Sequence, residues 1–256
     1  AAAIPIEVGG SIEGFADMMN AKARELGLTS THFTNPHGLD DDEHYTTARE
    51  LAIIAAEAMK TPTFKQICST YKKTFPTEDR SRTYVNHNKL LRLYDGCVGV
   101  KTGFTRKSGR CLVGAAEKDG LSFISVTLDA PDDWQDHERM LDYGYDRLEK
   151  IDLADELEYL YKIPVVGGER GYIIAANPEG AEIITEKGAH DIGSYTKLVR
   201  YAIAPINRGD KLGEIIYTID GKEATLSDIY ESAQAVPMMA ETKCVLVKDF
   251  PLDTLD

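Results

Sequence analysis

Lys101-Thr102-Gly103 are the residues of this chain best equipped for chemistry. They follow a strand-like run at 93–100, so an extended backbone presents them one after another. A lysine held on a strand offers a fixed cation to a carboxylate or to a proton network. The hydroxyl after it donates a directed hydrogen bond, and a glycine lets a ligand approach the backbone with no Cβ in the way. Such equipment suits acyl transfer at a peptide carbonyl beside a terminal carboxylate, with Thr105 as a further hydroxyl for that carboxylate. The reaction also needs a nucleophile with a base in reach. Two stretches place serine three residues before lysine, Ser69-Thr70-Tyr71-Lys72 and Ser194-Tyr195-Thr196-Lys197. For the amine to reach the hydroxyl, both must lie on one turn of a buried helix. Ser69 ends a short helical stretch that enters a lysine-rich strand, and Ser194 heads a strand, so neither is read as a nucleophile.

Histidine chemistry is the other option. Asn35-Pro36-His37-Gly38-Leu39-Asp40, with Asp41, Asp42 and His44, superficially resembles a ligand cluster. A zinc site needs at least three donors on rigid elements. His37 and His44 share one loop, and the chain has no H-E-x-x-H, so no metal and no cofactor is assigned. The acidic run at 40–43 reads as a solvated loop face without a role.

The elements that must position these residues follow from hydrophobic periodicity. Ile12, Phe15, Ala16, Met19, Ala23 and Leu26 recur at helical spacing, which predicts a helix over 12–26 capped by Gly27. A loop rich in Asn, Pro, His, Gly and Asp fills 29–45. A second helix is expected over 47–59, with Thr46 or Thr47 as its N-cap, Glu50 as the capping-box partner three residues on from Thr47, and Pro62 beyond its end. A short helix at 64–69 and short strands at 71–75 and 81–85 come next. Strands at 98–102, 111–116 and 121–128 are expected to form an antiparallel set, with 117–120 as a hairpin turn of Asp-Gly type. Helix returns over 134–148, which makes the first part an α+β domain. After 152 the texture changes to short strands near 157–161, 172–175, 182–184, 196–202 and 211–219, separated by Gly, Asn, Pro and Asp turns. That spacing predicts a small β-sandwich. The expected organisation is a domain at 1–152, a β domain at 153–235 and a tail at 236–256.

Composition restricts the partners. With 256 residues, 43% of them hydrophobic, the chain can bury one sizeable core and a second smaller one. A net charge of −13 excludes nucleic acid, which requires clustered Lys and Arg. No apolar run is long enough to cross a bilayer and no signal peptide is visible. Because the chain starts at Ala1-Ala2-Ala3, without methionine, it is expected to be a fragment or a trimmed product. Cys68, Cys97, Cys111 and Cys244 suit neither a disulfide framework nor a Cys-x-x-Cys metal site and read as buried small hydrophobes.

The surroundings of Lys101 carry a family resemblance. Asn86-His87-Asn88-Lys89-Leu90-Leu91 leads into Gly99-Val100-Lys101-Thr102-Gly103-Phe104-Thr105, followed by Ser108-Gly109-Arg110-Cys111-Leu112-Val113 and Leu141-Asp142-Tyr143-Gly144. Upstream stand Met18-Met19-Asn20, Lys22, Thr31-His32-Phe33 and the segment from Asn35 to Asp40. Together these resemble the serine-type D-alanyl-D-alanine carboxypeptidases, the low-molecular-mass penicillin-binding proteins, over about 9–152 and more weakly to about 235. Lys-Thr-Gly is one of the three sequence elements of that group; the others are S-x-x-K and S-x-N, and no serine here is followed two residues later by asparagine.

The resemblance implies a β-lactamase/transpeptidase-like catalytic domain, truncated at its N-terminus and followed by a small β-sandwich, with both missing motifs upstream of Ala1. It implies removal of the terminal D-alanine of peptidoglycan stem peptides through an acyl-enzyme, inhibition by β-lactams, and a location outside the cytoplasm at the cell wall. Lys101, Thr102, Gly103 and Thr105 would bind substrate, the Phe104 amide would be one oxyanion donor, and His37 would order the loop bordering the site. Relatives anchor to the membrane through an amphipathic basic helix. The tail at 236–256 has none, so peripheral membrane association would need a segment not seen here. A non-catalytic wall-binding protein of the same fold is the alternative, with this chain alone expected to be inactive.

Overall fold

The structure, a computed structural model, describes residues 3–76, 80–223 and 245–248. The chain divides into two compact units, Arg147–Gln234 and the remainder on either side of it. The first unit opens with α1 (Ala3–Gly9) and α2 (Ile12–Glu25). Ser11 caps α2 by accepting from the Gly14 amide, and Gly27 follows its end at φ +71°, in the left-handed region that terminates helices. The loop from Thr29 onward contains a single bridge, His32 with Tyr45. Next comes α3 (Ala48–Met59), whose Thr47 cap accepts from the Glu50 amide at 3.1 Å. The Glu50 carboxylate serves the loop before the helix, accepting from the Thr29 and Ser30 amides at 3.0 and 2.9 Å. Pro62, expected as a terminator of α3, is the first residue of α4 (Pro62–Ser69), where its missing N–H costs nothing.

A hairpin of β1 (Lys72–Pro76) and β2 (Ser81–Val85) follows, then the single turn α5 (Leu90–Leu93). The sheet begins with β3 (Cys97–Thr105), β4 (Gly109–Lys118) and β5 (Leu121–Thr127), all antiparallel. Between β4 and β5 only Asp119 and Gly120 turn the chain, both with positive φ, so the expected Asp-Gly hairpin is tighter than 117–120. Then comes α6 (Asp133–Arg147).

The sheet has a helix against each face. Val113, Ala115, Ile124 and Val126 pack on Ala48, Ala52, Ala55 and Ala56 of α3. These alanines recur at spacings of four and three, a narrow stripe that lets α3 lie close to the strands. The opposite face meets α6: Phe123 stacks edge-to-face on Tyr145 at 4.7 Å, and His137 lies fully buried over Ser125 and Thr127. A Cβ on Gly114 would stand 2.6 Å from His137 Nδ1, so glycine is what allows α6 its close approach.

Among its described residues the second unit has only strands as regular elements: β6 (Leu148–Ala154), β7 (Leu160–Val166), β8 (Tyr172–Ala176), β9 (Ala181–Glu186), β10 (Ile192–Leu198), β11 (Ala202–Ile203), β12 (Gly213–Ile219) and β13 (Lys222–Glu223). They form three small sheets, in orders β10-β12-β13, β11-β7-β8 and β6-β9. Strand β6 was not anticipated; its residues fall where the α6 pattern fades, and its partner β9 is about 30 residues further on. The stretch expected as one strand at 196–202 is the end of β10 and the start of β11. Finally β14 (Val245–Lys248) pairs with β5, giving the first unit's sheet the order β14-β5-β4-β3. The rest of the tail at 236–256, with Met238, Met239 and Cys244, lies outside the described residues.

Candidate functional site at the open edge of the sheet

Lys101 sits in the middle of β3 rather than at the end of a strand, because β3 continues to Thr105 and the expected strand start near Leu93 is helical α5. β3 is an edge strand among the described residues, so no described strand pairs with the far side of Lys101, Thr102 and Gly103. In antiparallel pairs, residues directly opposite share a face. Lys101 opposes Val113 and Gly103 opposes Cys111, so Lys101, Gly103 and Thr105 lie on the α3 face. Thr102 opposes Leu112 and leaves on the other face, half-buried. Lysine and threonine therefore flank the edge of the strand from opposite faces.

The Lys101 ammonium is exposed and donates to the Thr102 carbonyl; among the described residues no carboxylate pairs with it. Helix α4 closes in at this point, since a Cβ on Gly99 would stand 3.1 Å from Cys68 Cβ. Burial pushes the Cys68 thiol up, while the charge of Lys101 pulls it down. Cys68, Cys97 and Cys111 are free and only half-buried, not the fully buried residues expected. Phe104 is 71% exposed, which leaves its side chain without a packing role.

Thr105 is tied to the Asn35–Asp40 loop. Its hydroxyl donates to Asp40 Oδ1 at 2.7 Å and accepts from the Ser108 amide at 2.9 Å. Ser108 Oγ reaches the same Asp40 oxygen at 2.9 Å, and Lys107 pairs with Asp42. The acidic run is exposed along its whole length, as expected of a solvated face, but it is not without a role, because Asp40 and Asp42 also latch the loop to the strand end and the turn after it. The one visible signal was the opposite charge of Arg106 and Lys107, 65 residues away in sequence. His37 is exposed, and its Nδ1 accepts from Leu39 N at 3.3 Å within its own loop. The loop is organised instead by buried Asn35, which accepts from the Gly38 amide at 2.8 Å and donates to the Leu39 carbonyl at 3.1 Å.

The serine candidates fall out on geometry. Ser69 Oγ donates to the Gln66 carbonyl at 3.2 Å at the end of α4, whereas Lys72 lies in β1, so the two share no helical turn. Ser194 and Lys197 are three apart on β10 and project from opposite faces of it. A serine–histidine pair does exist, Ser125 Oγ and His137 Nδ1 at 2.7 Å. Both residues are 0% exposed, and burial pushes the His137 pKa down to about 3, so the pair holds α6 on the sheet rather than meeting substrate. Among the described residues no group of three or more His, Cys, Asp or Glu is placed to hold a metal ion.

Comparisons with known proteins bear on the family and the fold. The sequence profile of the S11 peptidases, described as D-alanyl-D-alanine carboxypeptidase, matches residues 1–132. The D-alanyl-D-alanine carboxypeptidase DacF of Bacillus subtilis is 33% identical over 221 residues, covering 84% of this chain and 57% of its own length. DacB2 of Mycobacterium tuberculosis is 36% identical over 50% of this chain and 46% of its own length. This chain thus spans about half the length of both relatives. Among solved structures, penicillin binding protein 5 of Haemophilus influenzae superposes with a TM-score of 0.66 at 27% identity, over 88% of this chain and 66% of that one.

Proposed function

This chain belongs to the D-alanyl-D-alanine carboxypeptidase family, and from that premise we propose that it is part of a serine-type enzyme that removes the terminal D-alanine from peptidoglycan stem peptides outside the cytoplasm. The observation that carries the reading is Lys101: an exposed cation with no acidic partner among the described residues, on an open strand edge, with Gly103 beside it. An extended peptide laid along that edge would pair backbone to backbone and bring its C-terminal carboxylate to Lys101 and the Thr102 hydroxyl. The Phe104 amide and the nucleophile's own amide would receive the oxyanion. Thr105, held by Asp40, supports the carboxylate end of the site, and the His37 loop borders it.

In this reading the nucleophile comes from an S-x-x-K segment outside these 256 residues. Serine Oγ attacks the carbonyl of the penultimate D-alanine and passes its proton to the paired lysine. Collapse expels terminal D-alanine, whose amine takes that proton, and leaves an ester. Water then hydrolyses the ester and restores the serine. A β-lactam opens on the same oxygen and remains there. No helix among the described residues is long and apolar enough to cross a membrane. The test is release of free D-alanine from a stem pentapeptide by the protein carrying S-x-x-K and S-x-N. A folded protein that carries both motifs yet releases none and takes up no β-lactam would leave the non-catalytic wall-binding reading in its place.

A further inference from the structure

The β1–β2 hairpin is the part of the first unit that acyl transfer leaves unused. All residues of its two strands are exposed. It stands on the end of α4: the Asn86 amide donates to the Tyr71 carbonyl at 2.7 Å, and Asn86 Nδ2 donates to the Cys68 and Thr70 carbonyls at 3.2 and 3.3 Å. Cys68 is the residue that packs at Gly99 and feels the charge of Lys101, so the root of the hairpin adjoins the candidate site.

Pairing sorts the hairpin into two faces. Lys73 opposes Tyr84 and Phe75 opposes Arg82, so one face carries two cations and two rings, the rings edge-to-face at 6.0 Å. Between 71 and 92 the chain places Lys72, Lys73, Arg80, Arg82, Lys89 and Arg92 against only Glu78 and Asp79, in a protein of net charge −13. Among the described residues, Lys72, Lys73 and Arg82 are in no ion pair. A merely solvated charged face alternates its signs and holds few large rings. Here Phe75 and Tyr84 remain 49% and 58% exposed on a two-stranded element that can bury little by itself.

We propose that the Lys73–Phe75–Arg82–Tyr84 face docks a peptidoglycan strand through its carboxylates and sugar rings, next to the peptide being processed at Lys101. Cations pair with the carboxylates of stem peptides, and the ring faces lie against sugar rings. The acidic remainder of the molecule repels the same polymer, so the hairpin sets the orientation of approach. The inference rests on the peptidoglycan reading above and adds to it a preference for polymer over soluble peptide.

Co-sedimentation of the 256-residue chain with insoluble peptidoglycan stripped of phosphate polymers tests it without any turnover. Binding is expected to weaken ~10-fold or more in K73E/R82E and in F75A/Y84A, and to fall by a similar factor between about 50 and 500 mM salt. Amidating the peptidoglycan carboxylates should abolish it. Circular dichroism of each variant controls for folding, and K73A/R82A provides a milder charge change. Equal binding by native and variant chains would overturn the proposal. So would binding that disappears when phosphate polymer is stripped, or vesicles of phosphatidylglycerol that bind as tightly as peptidoglycan. In the nucleophile-bearing protein, K73E/R82E should still release D-alanine from soluble pentapeptide while losing ~10-fold on insoluble peptidoglycan. Absence of release from pentapeptide by the native protein refutes the peptidoglycan enzyme and leaves the sedimentation result intact.

Discussion

Lys101 is available to a ligand because no carboxylate among the described residues claims its charge. In the nucleophile-bearing protein, Lys101→Ala removes an electrostatic donor, and β-lactam acylation should slow at least ~100-fold, about 3 kcal/mol of transition-state stabilisation. Near-native acylation would take Lys101 out of the site. Phe104→Ala keeps the amide and should change the rate less than ~3-fold, far below the loss of an oxyanion donor. Asp40 acts at one remove, through Thr105 and Ser108. Asp40→Ala frees both hydroxyls at an exposed place, so stability should fall by only about 1 kcal/mol, while acylation slows several-fold because the loop and Thr105 lose register. Unchanged acylation kinetics with a lowered melting temperature would reduce the latch to a structural tie.

At the scale of elements, the contact of α6 with β4 and β5 carries the most specific packing. Gly114 leaves room for His137 against Ser125, and Gly114→Ala should destabilise the unit by ~1–3 kcal/mol through forced displacement, read as a lower urea midpoint at unchanged slope. The same contact makes stability depend on pH. His137 has a folded pKa of about 3, well below the ordinary histidine value of 6.5, because burial penalises its charged form. The unfolded chain therefore binds the proton that the folded chain refuses. This stabilisation is complete above about pH 6.5 and is lost as pH falls toward 3, at roughly 1.4 kcal/mol per pH unit. Between pH 7 and 5, above most carboxylate titration, urea midpoints of the native chain should fall while those of His137→Gln stay nearly level. Parallel curves for the two proteins would show that His137 already takes its proton in the folded state.

For the molecule as a whole, the question is whether these 256 residues react by themselves. Ser69 and Ser194 lack a lysine on the same helical turn, and Ser125 is sealed behind the sheet. Mass spectrometry after incubation with a β-lactam should find the chain at its unmodified mass, whereas a stoichiometric adduct on either S-x-x-K serine would overturn the assignment of the nucleophile to another segment. The distribution of charge acts at the same scale. With −13 overall and six cations gathered between 71 and 92, the proposed docking hairpin lies in a basic segment of an acidic chain.

The sequence alone determined what depends on neighbours along the chain. Periodic apolar residues marked α2, capping residues at 46–50 marked the start of α3, Asp119-Gly120 marked a turn, and Lys101-Thr102-Gly103 with its flanks marked the family. Each rests on interactions a few residues long, which a reader of the sequence can count. Tertiary structure decided whatever required distant segments to meet. The acids at 40 and 42 are indistinguishable from a solvated run until the turn at 105–108 arrives beside them, and β6 is a strand only because β9 pairs with it. Which face of the sheet Lys101 takes, and which strand edge is left unpaired among the described residues, follows from pairing order and register, and side-chain alternation turns a single residue of register into a change of face.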